Sequence, residues 1–268
     1  MTSQKLKSIY TEQKKIRSVH LRRQVVIDFY LPLNTEPREL SLLLINDGQD
    51  LDKMGFKNIL DGLMATAQIS PLLAVGIHAG DRFSEYGIAG IPDYKSRGEK
   101  AFAYQQFLIK ELLPLIHINY KIESFKSRGI AGFSLGGLSA FDTAWNYPEI
   151  LSVAGIFSGS FWWRSKDLDE GYDEDRDRIM HQKIKNGSYH PDQRFYFTTG
   201  SLDETADRNN NGVIDSIDDT MAIISELQHL GFNLEHNIRY INYEDGKHDV
   251  ETWGKAMPAF LLWGWSRK

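Results

Sequence analysis

The chain has 268 residues, 41% of them hydrophobic and 25% charged, with a formal net charge of -5. That apolar fraction excludes disordered and collagen-like classes, and an acidic chain without a basic block suits nucleic acid poorly. It has no cysteine, so disulfides, thiolate metal sites and cysteine nucleophiles are excluded, and covalent catalysis would fall to another side chain. No stretch approaches the roughly 20 apolar residues of a membrane span.

Residues 1–19 are polar and carry Lys5, Lys7, Lys14, Lys15 and Arg17. No apolar core of a secretory signal follows, so a cytoplasmic protein is expected, with residues 1–18 as a polar N-terminal extension. The chain shows no repeat, low-complexity tract or Pro/Gly linker, and one domain over residues 1–268 is the simplest organisation. Strands are predicted at 25–31 (VVIDFYL), 40–46, 72–78 (LLAVGIH), 128–133, 153–158, 194–199 (RFYFTT) and 234–243. Helical spacing marks 55–68, 100–120 with a bend at Pro114, 135–147, 217–230 closed by Gly231, and most of 249–265. Short apolar strands alternating with amphipathic helices imply an α/β fold, a mostly parallel sheet covered on both faces. Ligands of such sheets bind beyond the carboxyl ends of the strands, so functional residues are sought there.

Residues 128–137 read RGIAGFSLGG, placing Gly132, Ser134 and Gly136 as G-x-S-x-G between a strand and a helix. That context fits a nucleophilic serine on a strained turn, whose flanking positions leave no room for a Cβ. A serine hydroxyl needs a base, and in this fold the chain order is serine, acid, histidine. Of His229, His236 and His248, only His248 lies in a loop just after a strand. The acid is sought after strand 194–199. Asp203 is the first carboxylate there, Glu204 is the alternative, and Asp207 ranks third. An oxyanion hole needs two backbone N–H groups. Leu135, at the helix start, and Gln49, in the Asp47-Gly48 turn after an early strand, are the candidates.

These motifs resemble the esterase family of α/β-hydrolases that includes esterase D-type S-formylglutathione hydrolases, ferric-enterobactin esterases, feruloyl esterases and mycobacterial mycolyltransferases. The likeness runs through LINDGQ (44–49), DRFSEY (81–86), ELLP (111–114), AGFSLGG (131–137), SGSFWW (158–163) and GKHDVETW (247–253 with Gly246). It implies an α/β-hydrolase fold, Ser134 as nucleophile, His248 as base, an acid in the Asp203-Glu204 loop, and the backbone of Gln49 and Leu135 as oxyanion hole. No substrate-specific insertion of the family is matched, so the substrate does not carry over. The expected activity is hydrolysis of a small-molecule ester, with no nucleic acid or membrane partner. Acyl transfer by the same triad, or a binding protein with a vestigial triad, are the alternatives.

Residues 207–218 read DRNNNGVIDSID. Set against the twelve-residue calcium loop, Asp207, Asn209, Asn211, Asp215 and Asp218 fall on side-chain ligand positions, Val213 on the carbonyl position and Gly212 on the turn. A structural Ca2+ stiffening the segment that holds Asp203 is expected, although Asp218 replaces the usual bidentate Glu. Phe161, Trp162 and Trp163 are candidates for an acyl-pocket wall or for ordinary packing. Arg82 and Glu85 either shape the site or pair with each other.

Overall fold

The computed structural model describes residues 9–267. Its strands are β1 (Ile9–Arg17), β2 (Gln24–Pro32), β3 (Ser41–Asn46), β4 (Leu72–Ile77), β5 (Arg128–Phe133), β6 (Val153–Phe157), β7 (Arg194–Leu202) and β8 (Ile238–Lys247). They form one eight-stranded sheet in the order β1-β2-β4-β3-β5-β6-β7-β8. The β1·β2 and β2·β4 pairs are antiparallel, and every pair from β4 to β8 is parallel. Strand β1 corrects the reading of residues 9–17 as an extension. Beyond buried Ile9, half-buried Glu12, Lys14 and Ile16 alternate with exposed Thr11, Gln13, Lys15 and Arg17, and the Lys14 ammonium lies over the Phe29 and Tyr120 rings, so charged side chains occupy both faces of this edge strand.

The helices are α1 (Phe56–Ala65), α2 (Arg82–Glu85), α3 (Ala101–Phe107), α4 (Leu113–Tyr120), α5 (Leu135–Asn146), α6 (Glu174–Asp177), α7 (Ile179–Lys185), α8 (Asp215–His229) and α9 (Val250–Trp265). The bend expected at Pro114 is a π turn, Leu108–Leu112, between α3 and α4. Proline has no N–H, and its ring crowds the carbonyl four residues earlier, so the hydrogen-bond ladder lengthens there.

Both faces of the central strands are buried, which is why β3 reads SLLLIN without polar alternation. Leu42 and Leu44 face one apolar layer, with Leu108, Leu112, Leu138, Phe141, Ile184 and Leu227 from the helices on that side. Leu43 and Ile45 face the other, against Phe56 and Leu60 of α1 and Met257 and Phe260 of α9. Phe141 is fully buried and meets Phe161, Phe195, Phe197 and Trp145 with ring centroids 5.0–6.0 Å apart. Phe141→Ala is expected to cost about 3–5 kcal/mol by cavity formation, read as a lower urea midpoint at unchanged slope. A loss below about 1 kcal/mol would mean that the cluster does not pack as described.

Candidate active site

The carboxyl ends of β3, β5, β6, β7 and β8 lie at one edge of the parallel sheet. There the chain leaves them at Asp47, Ser134, Ser158, Asp203 and His248.

Ser134 stands between β5 and α5 with φ 54° and ψ −120°, a conformation that non-glycine residues adopt only under constraint. The constraint is visible in its backbone. The Ser134 N–H donates to the Phe157 carbonyl at 2.8 Å, and its own carbonyl accepts from Gly137, Leu138 and Ser160. A Cβ on Gly132 would lie 2.1 Å from the Gly136 carbonyl oxygen, so the turn closes only on glycine there. At Gly136 the crowding partner is the Asp47 carboxylate, at 2.5 Å from an added Cβ, and not the backbone. The hydroxyl of Ser134 lies 3.3 Å from that of Ser160.

Asp203 and His248 come together because β7 and β8 converge. An added Cβ on Gly200 would lie 2.4 Å from the Gly246 carbonyl oxygen. His248 Nδ1 is 3.9 Å from Asp203 Oδ1, an ion-pair separation longer than a hydrogen bond. Free-enzyme contacts of this kind often tighten only around substrate. Asp203 Oδ2 accepts from the Gly200 N–H at 3.0 Å, while buried Oδ1 has no hydrogen-bond partner among the described residues. The imidazole also meets Trp253 edge-on at 5.2 Å. Burial lowers the His248 pKa, Asp203 raises it, Arg82 lowers it and Asp249 raises it, with the net shift downward. A neutral ring is therefore favoured at neutral pH, the form a proton acceptor requires.

Ser134 and His248 line two adjoining cavities. One, of about 200 Å³, adds Ser158, Gly159, Ser160, Trp162, Asp203, Glu204 and Ser216. The other, of about 170 Å³, adds Asp47, Asp50, Arg82, Phe133 and Trp253. A larger hollow elsewhere involves Met54, Ile59 and Pro258 and carries no comparable chemistry.

The two candidate oxyanion donors sit on structured supports. Leu135 is the first residue of α5, where backbone N–H groups have no helical acceptor. Gln49 lies in a 3-10 turn, Gly48–Asp50, preceded by Asp47 in the left-handed region at φ 60°. The side chain of Gln49 donates to Asp47 Oδ1 at 3.1 Å and accepts from the Ala79 N–H at 3.1 Å. Arg82 grips Asp47 with both ends of its fork, at 2.8 and 3.1 Å. The Asp47 N–H donates to Tyr86 Oη, and the Asn46 side chain donates to the Gly136 carbonyl at 2.8 Å. Arg82 and Glu85 therefore do not pair with each other. Glu85 is held by Arg23 at 2.6 Å, and Arg82 belongs to the site. Asp81, which caps α2 through the Ser84 N–H, marks in the sequence the short helix that delivers Arg82.

Of the three aromatics after β6, Trp162 alone lines a cavity with Ser134. Phe161 and Trp163 are fully buried in the core. Sequence reasoning missed Ser160 and Ser216, because isolated serines carry no spacing signal. Glu204, the alternative acid, lines the same cavity as Asp203, but the carboxylate within ion-pair distance of His248 is that of Asp203.

The calcium expected at residues 207–218 finds no support. Among the described residues no group of three or more acidic, histidine or cysteine side chains is arranged to hold a metal ion. Residues 207–218 instead close on themselves. Asp207 accepts from the Asn211 and Gly212 N–H groups, and Asn211 Oδ1 accepts from Val213 N. The side-chain amides of Asn209 and Asn211 aim donors at Asp218, at 3.0 and 3.4 Å. Asp215 turns to Arg208, accepting its N–H at 3.0 Å. Donor amides and an arginine stand where a cation would need convergent oxygens.

Comparison with known proteins gives this geometry a family. A sequence model described as Putative esterase matches residues 18–263. The chain belongs to that esterase family. YbbA, an uncharacterized protein of Bacillus subtilis, is 27% identical over 146 residues, covering 51% of this chain and 57% of its own length. The chain thus spans little more than half the length of such curated relatives. The enterobactin esterase FES of Shigella flexneri, solved with enterobactin, superposes with a TM-score of 0.71 at 21% identity, covering 96% of this chain and 59% of that one. A ferulic acid esterase superposes with a TM-score of 0.70 at 16% identity, covering 96% and 97%. At these identities the structures attest a shared α/β-hydrolase fold. No helix among the described residues of this esterase-family chain is long and apolar enough to cross a membrane.

The electrostatics around His248 are testable on their own. An NMR titration is expected to place its pKa below the ordinary imidazole value of about 6.5. Arg82→Met removes a nearby positive charge and is expected to move it upward. A wild-type value above about 6.5, or no upward movement in the variant, would contradict the assignment of causes.

Proposed function

We propose that the protein is a serine hydrolase of small-molecule carboxylic esters, acting through Ser134, His248 and Asp203. The observation that carries this reading is the strained Ser134, raised on the turn before α5 in a cavity that also holds His248 backed by Asp203. Strain of this kind persists where the surrounding structure over-determines it, most often at functional sites.

The neutral imidazole of His248 takes the Ser134 proton as Oγ attacks the ester carbonyl. The resulting oxyanion receives the N–H groups of Leu135 and Gln49. Collapse breaks the bond to the alcohol oxygen, which leaves with the proton from His248, and an acyl-Ser134 ester remains. Water, deprotonated by His248, then attacks that ester and releases the acid, restoring Ser134. Buried Asp203 holds the imidazole tautomer and offsets the charge that appears on it. Family membership supports ester chemistry. The structural neighbours named for enterobactin and ferulic acid indicate the kind of ester to screen, short of identifying it.

Ser134→Ala is expected to lower hydrolysis of p-nitrophenyl acetate by about a thousand-fold or more, with circular dichroism and urea midpoint close to wild type. Retained turnover in a folded Ser134→Ala protein would refute the mechanism. Asp203→Asn is expected to cost about 100- to 10,000-fold in kcat, and a comparable loss in Glu204→Gln with Asp203 intact would move the acid to Glu204.

A further inference from the structure

His248 sits between two backbone anchors. Asp249 is the N-cap of α9, its carboxylate accepting from the Thr252 N–H at 2.8 Å. The Thr252 hydroxyl accepts from the Lys247 N–H at 2.9 Å, and the Asp249 N–H donates to the Lys247 carbonyl at 2.8 Å. The main chain is thus pinned on both sides of His248, but none of these bonds fixes the rotation of its ring. Asp203 does not fix it either, since Nδ1 and Oδ1 stand 3.9 Å apart, outside hydrogen-bond range. The group that meets the ring is Trp253, edge-on, with centroids 5.2 Å apart and planes at 82°. With Asp249 as N-cap, His248 is the residue before the cap and Trp253 the fourth of the helix. Those are the two positions that pack together in a hydrophobic staple. Here the outer member of the staple is the proposed base.

The indole is itself fixed by the strand ends around Ser134. It is buried, and it stacks on Phe133, the residue before Ser134, at 5.3 Å and 26°. Its Nε1 donates to Ser158 Oγ at 3.2 Å. Ser158 follows β6 as a buried residue in the left-handed region, at φ 47°, and its own N–H donates to the Thr198 carbonyl at 2.8 Å. A rigid indole that meets both the residue before the elbow and the imidazole relates the position of one to that of the other. We propose that Trp253 is a positioning residue, which, anchored on Ser158 and Phe133, sets the ring rotation of His248 for Ser134 in the free enzyme. The proposal rests on the ester-hydrolase reading and adds to it a residue outside the triad.

Trp253 also lines a cavity with Ser134 and His248, so a wall role has to be separated from a positioning one. Removing a wall contact raises KM at unchanged kcat, whereas misorienting a base lowers kcat. Trp253→Leu is expected to lower kcat on p-nitrophenyl acetate by about 100-fold, the scale of an ångström's misplacement, with KM within about two-fold of wild type. Trp253→Phe keeps a ring against the imidazole and loses only the bond to Ser158, and is expected to lose about ten-fold or less. Ser158→Ala removes the same bond from its other end. It is expected to cost as much in the wild-type background and nothing further in the Trp253→Phe background. Should Trp253→Leu fail to fold by circular dichroism, that cycle decides, and the same Ser158→Ala cost in both backgrounds overturns the proposal. A folded Trp253→Leu protein with wild-type kcat and a raised KM overturns it as well, while leaving the hydrolase reading intact. Ser134→Ala tests that reading separately. The His248 imidazole NMR resonances give a readout that needs no turnover. One sharp set in the wild type, broadened or doubled in Trp253→Leu as the ring samples further rotamers, supports the positioning role even if the serine reading fails. Unchanged line shapes in the folded variant overturn it.

Discussion

The Asp47 carboxylate holds the site together. It is almost wholly buried, and its oxygens are taken by both ends of the Arg82 fork and by the Gln49 amide. Through those bonds one charge ties the loop after β3 to α2, and it presses on Gly136 in the first turn of α5. The same loop donates from Asp47 N to Tyr86 and is tied through Asn46 to the Gly136 carbonyl and to Tyr104, at 2.8 and 2.6 Å. Losing Arg82 would strip the buried Asp47 carboxylate of its main charge partner, whereas the Arg82 side chain itself is 39% exposed and reaches water. The Asp47–Arg82 pair is thus one of several ties, with the Asn46–Gly136 and Asp47–Tyr86 hydrogen bonds, that hold the loop of Gln49 against the start of α5.

Much of this could be read from the sequence where chemistry imposes spacing. The G-x-S-x-G pattern reports a steric fact, the collision that any Cβ at Gly132 would make with Gly136, and the elbow stands where the pattern puts it. The apolar run of β3 reports burial on both faces, and its bounds were predicted within one residue. Strand β1 escaped notice because even its half-buried positions include Glu12 and Lys14 beside Ile16, so no apolar alternation marks it and the segment reads as a solvated tail. Arg82 was visible only as one of two charges three residues apart. Its true partner lies 35 residues earlier, a distance no local pattern encodes.

For the twelve residues from Asp207 the expected calcium finds no support among the described residues. Their spacing matches a metal loop closely, yet spacing fixes only which residues face a turn and not which of their atoms do. An asparagine can present an oxygen or an amide, and Asn209 and Asn211 present amides to Asp218. Asp215 is drawn off by Arg208, whose guanidinium also serves Asp219 and Glu174. The residues form local turns ahead of α8, and Asp203, the carboxylate nearest His248, is positioned by the convergence of β7 and β8 and by the Gly200 N–H.

Ser134 is proposed as a nucleophile activated within this constellation. Reaction of the folded protein with a fluorophosphonate, followed by intact mass and peptide mapping, tests it without knowledge of the natural substrate. A single adduct on Ser134, lost when His248 is replaced by alanine, is the predicted result. An unmodified protein, or an adduct on Ser160 or another residue with Ser134 untouched, would contradict it.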